Sequence, residues 1–161
     1  MNIQLNKALE FRKHGRHKES NELLMKLVQE YPDDASINYQ CAWSLDLLGE
    51  EAKAVFFYEK AIELGLPPSE LEGAILGLGS TYRTLGEYEK SKSVFLKGLE
   101  AFPENRAIQT FYAMTLYNLN EHSKAMEVLL NCLIETTSDE EILKYEKAIR
   151  FYADKLDEVW K

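Results

Sequence analysis

The sequence contains an internal repeat with a period of about 34 residues. Four turn-forming residues mark the period: Gly15, Gly49, Gly86 and Asn120 are separated by 34, 37 and 34 residues. The longer middle separation contains extra residues in the turn at 65–69. A fixed period of this length is typical of proteins that stack one helical unit many times. We therefore expect repeated units that share their cores with their neighbours.

Each unit has the pattern of two helices that cross at close range. Small residues lie seven positions before and five after each turn residue, and large apolar residues lie four before and nine after. The small residues are Ala8, Ala42, Gly79 and Ala113 before the turns, and Ser20, Ala54, Ser91 and Ala125 after them. Small side chains let two helix backbones approach, and large ones fill the space beside the contact. Glycine or asparagine at the turn permits the left-handed conformation that ends a helix.

Apolar residues recur at helical spacing along the chain, and the sequence lacks strand signals. The pattern predicts helices over 2–13, 18–31, 35–48, 51–64, 69–85, 88–101, 105–119, 122–136 and 139–160. The last helix opens with Asp139 and Glu140, which suit a helix N-terminus. Its apolar stripe is Ile142, Tyr145, Ile149, Tyr152, Leu156 and Val159. We expect this stripe to cover the open face of the last repeat, and the alternative is a self-association seam between two copies.

The units resemble tetratricopeptide repeats, whose pattern is W-x2-L-G-x2-Y, then A-x3-F, then P. The third unit matches best, with Leu78-Gly79-Ser80-Thr81-Tyr82 followed by Ser91, Phe95 and Pro103. The resemblance, to small domains of the bacterial type, implies an all-α, right-handed solenoid of about four helical hairpins and a C-terminal capping helix at 139–160. The implied organisation is a single domain, 1–161, whose repeats cover about 1–34, 35–71, 72–105 and 106–138.

The resemblance also implies a non-catalytic module that binds a peptide or a partner helix in a concave groove lined by the first helix of each repeat. The groove positions are Leu9, Arg12, Tyr39, Trp43, Leu76, Arg83, Phe111, Met114 and Tyr117. Aromatic residues, arginine and methionine are enriched at binding interfaces. The alternative is that Trp43 and Tyr117 pack between neighbouring hairpins, as most large aromatic residues on helices do.

One subclass of the family does not fit. Chaperone-binding tetratricopeptide domains hold a C-terminal carboxylate with a clamp of lysine, asparagine and arginine on their first helices. The matching positions here are Leu5, Leu9, Gln40, Gly73 and Gly77, so the clamp is missing. We expect a partner recognised through apolar and aromatic contacts, with Arg12 or Arg83 available to pair with an acid.

The charge balance narrows the class of partner. Lys and Arg number 19 and Asp and Glu number 27, which gives a net charge of −8. Nucleic-acid binding depends on clustered cations, and the densest basic run, 12–18, is expected to be a solvated turn. The longest apolar runs fall far short of the roughly 20 residues of a membrane helix. The first ten residues also lack the apolar centre of a secretory leader, so we expect a cytoplasmic protein without a nucleic-acid or membrane partner.

Catalytic, cofactor and metal motifs find no support in the sequence. Gly73, Gly77 and Gly79 lie on a predicted helix and lack the Lys-Ser/Thr of a phosphate-binding loop. His14 and His17 have no evident third ligand for a metal. The two cysteines, Cys41 and Cys132, lie in apolar helical patterns and are expected to be buried free thiols. We therefore expect no enzyme activity, no cofactor and no bound metal.

Overall fold

The computed structural model describes residues 3–161, and within that range it contains ten α-helices and no strand. The helices are α1 (Ile3–Lys13), α2 (His17–Glu30), α3 (Ala35–Asp46), α4 (Glu51–Leu64), α5 (Pro68–Thr84), α6 (Tyr88–Ala101), α7 (Arg106–Asn118), α8 (His122–Thr136), α9 (Glu140–Leu143) and α10 (Glu146–Tyr152). The predicted all-α class is confirmed. No helix in the described part of the chain is long and apolar enough to cross a bilayer.

The first eight helices begin and end within two residues of the predicted bounds. The turns between the paired helices have the predicted left-handed backbone, with φ of 75° at Gly15, 73° at Gly49, 78° at Gly86 and 60° at Asn120. At the start of α3, the side chain of Asp34 accepts a hydrogen bond from the backbone amide of Ile37 at 2.9 Å. Asn105 caps α7 in the same way. Local sequence thus specifies these helix ends.

The chain divides into two compact units, Met1–Glu87 and Tyr88–Lys161. The first contains α1 to α5, and each of these helices packs on the next one along the chain. Its small residues lie where the repeat pattern predicts close crossings, because Ala8, Ser20, Ala42 and Ala54 are completely buried. Leu24 is also completely buried and belongs to the core of the unit.

The second unit contains α6 to α10. In it α6 packs on α7, α7 packs on α8, and α10 also contacts α8. Phe95, Ile108 and Leu116 are fully buried, and Ser91 Oγ lies 2.9 Å from Thr115 Oγ1 in the buried crossing of α6 and α7. That the two units act as a single domain stays a prediction.

The predicted continuous helix over 139–160 is wrong. The chain forms α9, leaves helical geometry at Tyr145, where φ is −105° and ψ is 15°, and forms α10, which ends at Tyr152. An ion pair across to α8 joins Arg150 Nη1 to Glu135 Oε1 at 3.6 Å, and Ala153 is buried. These contacts hold α10 against α8 after the break at Tyr145, so the segment is not one straight helix.

The break also divides the predicted apolar stripe. Ile142 and Ile149 are half-buried, whereas Tyr145, Tyr152, Leu156 and Val159 are exposed. The six residues therefore do not form one helical face. The part of the segment that covers the last repeat is α10, through its packing on α8.

Candidate functional site

Arg12 and two aromatic residues form a stacked cluster on the first unit. Arg12 comes from the last turn of α1, and Tyr39 and Trp43 lie four residues apart on one face of α3. The guanidinium carbon of Arg12 is 4.0 Å from the centroid of the Trp43 ring. The rings of Tyr39 and Trp43 stack with centroids 6.1 Å apart and an interplanar angle of 27°. We call Arg12, Tyr39, Gln40 and Trp43 the arginine–aromatic cluster.

The guanidinium of Arg12 is only partly satisfied. Its Nη2 atom donates a hydrogen bond to Gln40 Oε1. Its Nη1 atom is shielded from solvent and has no hydrogen-bond partner among residues 3–161. Burial lowers the pKa of Arg12 while the nearby hydroxyls of Tyr39 and Tyr58 raise it. The guanidinium still carries its charge at neutral pH, because arginine does not deprotonate there in proteins.

Two glycines of α5 make room for tyrosine side chains. A Cβ atom added to Gly73 would meet the hydroxyl of Tyr39, with Tyr39 Cζ at 3.1 Å. A Cβ atom added to Gly77 would lie 2.5 Å from Tyr58 Oη and 2.7 Å from Tyr58 Cε1. The sequence pattern did not identify this role. The signal available was the presence of two glycines one turn apart inside a helix, where each costs about 1 kcal/mol relative to alanine.

A carboxylate beside the cluster joins three helices of the first unit. Tyr58 Oη, from α4, donates a hydrogen bond to Asp46 Oδ2 at 2.8 Å. Thr81 Oγ1, from α5, lies 3.0 Å from both Asp46 carboxylate oxygens and 2.7 Å from the carbonyl oxygen of Gly77. Burial raises the pKa of Asp46, and burial together with the Asp46 charge raises that of Tyr58. These hydrogen bonds join α3, the helix that carries Trp43, to α4 and α5.

The predicted groove residues of the first unit differ in exposure. Trp43 is 42% exposed, whereas Leu9, Arg12, Leu76 and Arg83 are half-buried. Tyr39, which we expected on the exposed lining, is only 9% exposed because its hydroxyl occupies the space above Gly73. Tyr39 therefore contributes little exposed surface itself and stacks with the exposed ring of Trp43.

The predicted groove residues of the second unit all lie on α7. Phe111 is half-buried, and Met114 and Tyr117 are exposed. Tyr117 is 64% exposed, and its ring lies 4.8 Å from the ring of His122 at the start of α8. Trp43 and Tyr117 thus keep large exposed fractions, although Trp43 also contacts Arg12 of the preceding hairpin, in line with the alternative that it packs between hairpins.

Metal ligands do not gather in the described part of the chain, where no group of three His, Cys, Asp or Glu side chains could hold an ion. Both cysteines are buried free thiols, as predicted. Burial raises the pKa of Cys41 to about 12, so its thiolate is scarce at neutral pH. A cavity of about 310 Å³ in the second unit is lined by residues that include Arg106, Cys132 and Glu135. Arg106 and Glu135 form an ion pair at 2.5 Å, so each of these two charges in the cavity wall already has a partner.

Comparison with known proteins gives a family match and partial relatives. Residues 35–156 match the family model described as Tetratrico peptide repeat. A TPR repeat-containing protein of Methanocaldococcus jannaschii is 39% identical over 72 residues, which is 45% of this chain and 12% of that protein. Superkiller protein 3 of Saccharomyces cerevisiae is 26% identical over 91 residues, which is 56% of this chain and 6% of that protein. The chain thus spans only a small part of these relatives.

Solved structures share the fold at low sequence identity. MamA 41-end from Desulfovibrio magneticus RS-1 has a TM-score of 0.74 at 15% identity, covering 98% of this chain and 89% of that one. YrrB, described as a TPR protein with an unusual peptide-binding site, has a TM-score of 0.65 at 16% identity, covering 95% of this chain and 87% of that one. At such identities the likeness shows the fold alone.

Proposed function

This chain belongs to the tetratricopeptide repeat family, and from that premise we propose that it is a non-catalytic module that binds a peptide or a partner helix on the first helices of its repeats. The observation that carries the proposal is the exposed ring of Trp43, which contacts the guanidinium of Arg12 and stacks with the ring of Tyr39. Tryptophan, tyrosine and arginine are the residue types that most often dominate binding energy at interfaces.

The surroundings of Trp43 suit recognition because they hold the ring before any ligand arrives. Tyr39 stacks with the ring, and the hydroxyl of Tyr39 packs against Gly73 of α5. A side chain already fixed in one orientation loses little conformational entropy when a ligand binds, so more of the contact energy contributes to affinity. Met114 and Tyr117 provide a second exposed apolar patch on the second unit.

We also propose that the partner is a protein and that neither nucleic acid nor membrane is bound, with the cytoplasm as the compartment. Two of the four lysines and arginines in the basic run at 12–18 pair with neighbouring acids. Arg16 pairs with Glu19, and Lys13 Nζ lies 3.9 Å from Glu10 Oε1. The other two, Arg12 and Lys18, are few cations for a phosphate backbone, which is usually bound by a larger cluster. The free, buried thiols are compatible with a reducing compartment.

Self-association through the C-terminal stripe is the alternative function. It requires one continuous helical face, and the chain divides that face between α9 and α10. Tyr145 and Val159 remain exposed, so some apolar area is present at this end of the chain. A sedimentation mass that stays monomeric as concentration rises would remove this alternative, and a dimer lost on deleting residues 139–161 would favour it.

The proposed function is tested by partner capture with four proteins: wild type, Trp43→Ala, Tyr117→Ala and the control Phe56→Ala. Phe56 is 60% exposed but lies on α4, a second helix, so its loss matches the change in surface aromatic area away from the proposed site. We expect Trp43→Ala to lose capture from lysate of the native cell and Phe56→Ala to keep it, with thermal midpoints that show all four folded. Capture unchanged in both Trp43→Ala and Tyr117→Ala would overturn the proposal.

A further inference from the structure

We infer that the peptide bound by this chain presents a carboxylate to Arg12, next to the exposed ring of Trp43. The inference rests on the proposed function and adds the chemistry of the partner to it. Its basis is a half-buried charged group that lacks a counter-charge and contacts the exposed ring of Trp43.

Arg12 differs from other arginines of the chain. Arg16 pairs with Glu19, Arg106 pairs with Glu104 and Glu135, and Arg150 pairs with Glu135 and Glu146. Arg12 makes no ion pair with any residue of the described range, although acids outnumber bases by 27 to 19 in the sequence. Its close neighbours are an amide, Gln40, and aromatic rings. A half-buried charge without a partner is unfavourable, and the burial itself is reflected in the lowered pKa of Arg12.

The geometry favours a carboxylate over a more highly charged anion. A single guanidinium balances the single charge of a carboxylate, and the pair strengthens where water is partly excluded. A phosphate group carries close to two charges and is usually held by several cations. Here one arginine stands beside the rings of Tyr39 and Trp43, so the cluster offers a single positive charge in an apolar setting.

This site is distinct from the clamp of chaperone-binding tetratricopeptide domains. Two of the matching clamp positions, Gly73 and Gly77, lie against the side chains of Tyr39 and Tyr58 and have no room for a cation. A third, Gln40, accepts a hydrogen bond from Arg12. The positive charge therefore comes from α1 at a position outside the clamp. The adjacent Trp43 ring predicts that an apolar side chain neighbours the carboxylate in the ligand.

The source of the carboxylate is either an acidic side chain or the C-terminus of the ligand, and three peptide pools distinguish them. All pools are acetylated hexapeptides with one fixed position, and their other positions are randomised over residues other than Asp and Glu. The first pool fixes Asp or Glu and has an amidated C-terminus. The second fixes Asn or Gln and is also amidated. The third fixes Asn or Gln and ends in a free carboxylate. Each pool is passed over the immobilised full chain, and retained peptides are quantified by mass spectrometry.

We expect the first or third pool to be retained at least about tenfold more than the second, since a hydrogen bond to a charged group commonly contributes that much. The advantage should disappear in Arg12→Gln and persist in Arg16→Gln, a matched charge loss on the same unit. Added sodium chloride should also reduce it in the wild type, which provides a second readout if Arg12→Gln does not fold. Retention in the first pool assigns an acidic side chain, and retention in the third assigns a C-terminus.

Two negative results are distinguishable. If all pools are retained equally, with retention lost in Trp43→Ala and unchanged in Arg12→Gln, the carboxylate inference is wrong and the proposed function stands. If the folded wild type retains no pool at all, the proposed peptide-binding function falls and the inference falls with it.

Discussion

Tyr58 occupies the space that a side chain at Gly77 would need. A Cβ atom at Gly77 would lie 2.5 Å from Tyr58 Oη, closer than real Cβ contacts allow, and the same hydroxyl donates a hydrogen bond to Asp46. The tyrosine therefore cannot move aside without losing that bond. Gly77 of α5 thus leaves room for Tyr58 of α4 to reach Asp46 of α3, the helix that carries Trp43.

The first prediction concerns Gly77→Ala. At an ordinary site inside a helix, this change stabilises a protein by up to about 1 kcal/mol. Here we expect the opposite sign, a loss of about 1–3 kcal/mol in the free energy of unfolding, because the added methyl group overpacks against the Tyr58 ring. Urea denaturation followed by circular dichroism measures the difference.

The control for this prediction is the same substitution in a Tyr58→Leu background. The shorter side chain removes the ring atoms that meet the new Cβ, so the cost of Gly77→Ala should decrease markedly there. An unchanged cost in both backgrounds would place the strain elsewhere in α5.

The second prediction concerns the pH dependence of stability at Asp46. Burial raises the pKa of this carboxyl in the folded chain, so the folded state binds its proton more tightly than the unfolded state does. The contribution of Asp46 to the free energy of unfolding should therefore fall as pH rises from the ordinary aspartate pKa, about 3.9, through the raised folded value.

Comparison with Asp46→Asn isolates this contribution, because asparagine does not titrate and other groups cancel. Urea unfolding of both proteins at several values between about pH 4 and pH 7 should show the wild type losing stability relative to the variant as pH rises. A relative gain with rising pH would mean that the hydrogen bonds from Tyr58 and Thr81 outweigh burial at this carboxyl.

The sequence could predict the first eight helices because their limits depend on local features. Left-handed turn residues such as Gly49 and Asn120 end a helix wherever they occur, and the repeat shows each feature several times. The C-terminal segment lacks this advantage. Its apolar spacing fits one long helix, but the pairing of Arg150 with Glu135 and the burial of Ala153 decide its course, and both depend on where α8 lies.

The candidate site shows the same contrast between features that local sequence predicts and features that depend on tertiary contacts. The family pattern places Arg12 and Trp43 on first helices, which predicts that they lie on one surface. The pattern cannot predict that the guanidinium stacks on the indole, because this depends on the distance between α1 and α3. The roles of Gly73 and Gly77 were missed for a similar reason. A glycine in a sequence does not reveal which distant side chain occupies the space beside it.

The third prediction concerns Glu135, which forms ion pairs with two arginines. Its distance from Arg106 is 2.5 Å and from Arg150 is 3.6 Å, so it links α7, α8 and α10 in the second unit. All three side chains are partly exposed, which limits the gain from the charges. We expect Glu135→Gln to lower the free energy of unfolding by about 1 kcal/mol or less at low salt.

High salt and a matched variant separate charge from packing in this case. In 1 M sodium chloride the Debye length is about 3 Å, so the difference between Glu135→Gln and wild type should shrink. The control is Glu141→Gln, which removes a highly exposed pair with Lys144 and should change stability by less than about 0.5 kcal/mol. Equal effects of the two variants would contradict a special role for Glu135.

The fourth prediction concerns Asn120, the only residue other than glycine with a positive φ in the described range. The three equivalent turns use glycine, which adopts this conformation without steric cost, whereas asparagine at φ 60° retains some strain. We expect Asn120→Gly to raise the free energy of unfolding by a few tenths to about 1 kcal/mol, despite the greater flexibility of glycine in the unfolded chain.

Asn131→Gly is the control, because Asn131 lies inside α8 and the same chemical change there should destabilise by roughly 0.3–1 kcal/mol. Thermal denaturation of both variants measures the change in midpoint, which should be positive for Asn120→Gly and negative for Asn131→Gly. A lower midpoint for Asn120→Gly would show that the asparagine side chain contributes more at this turn than its backbone strain costs.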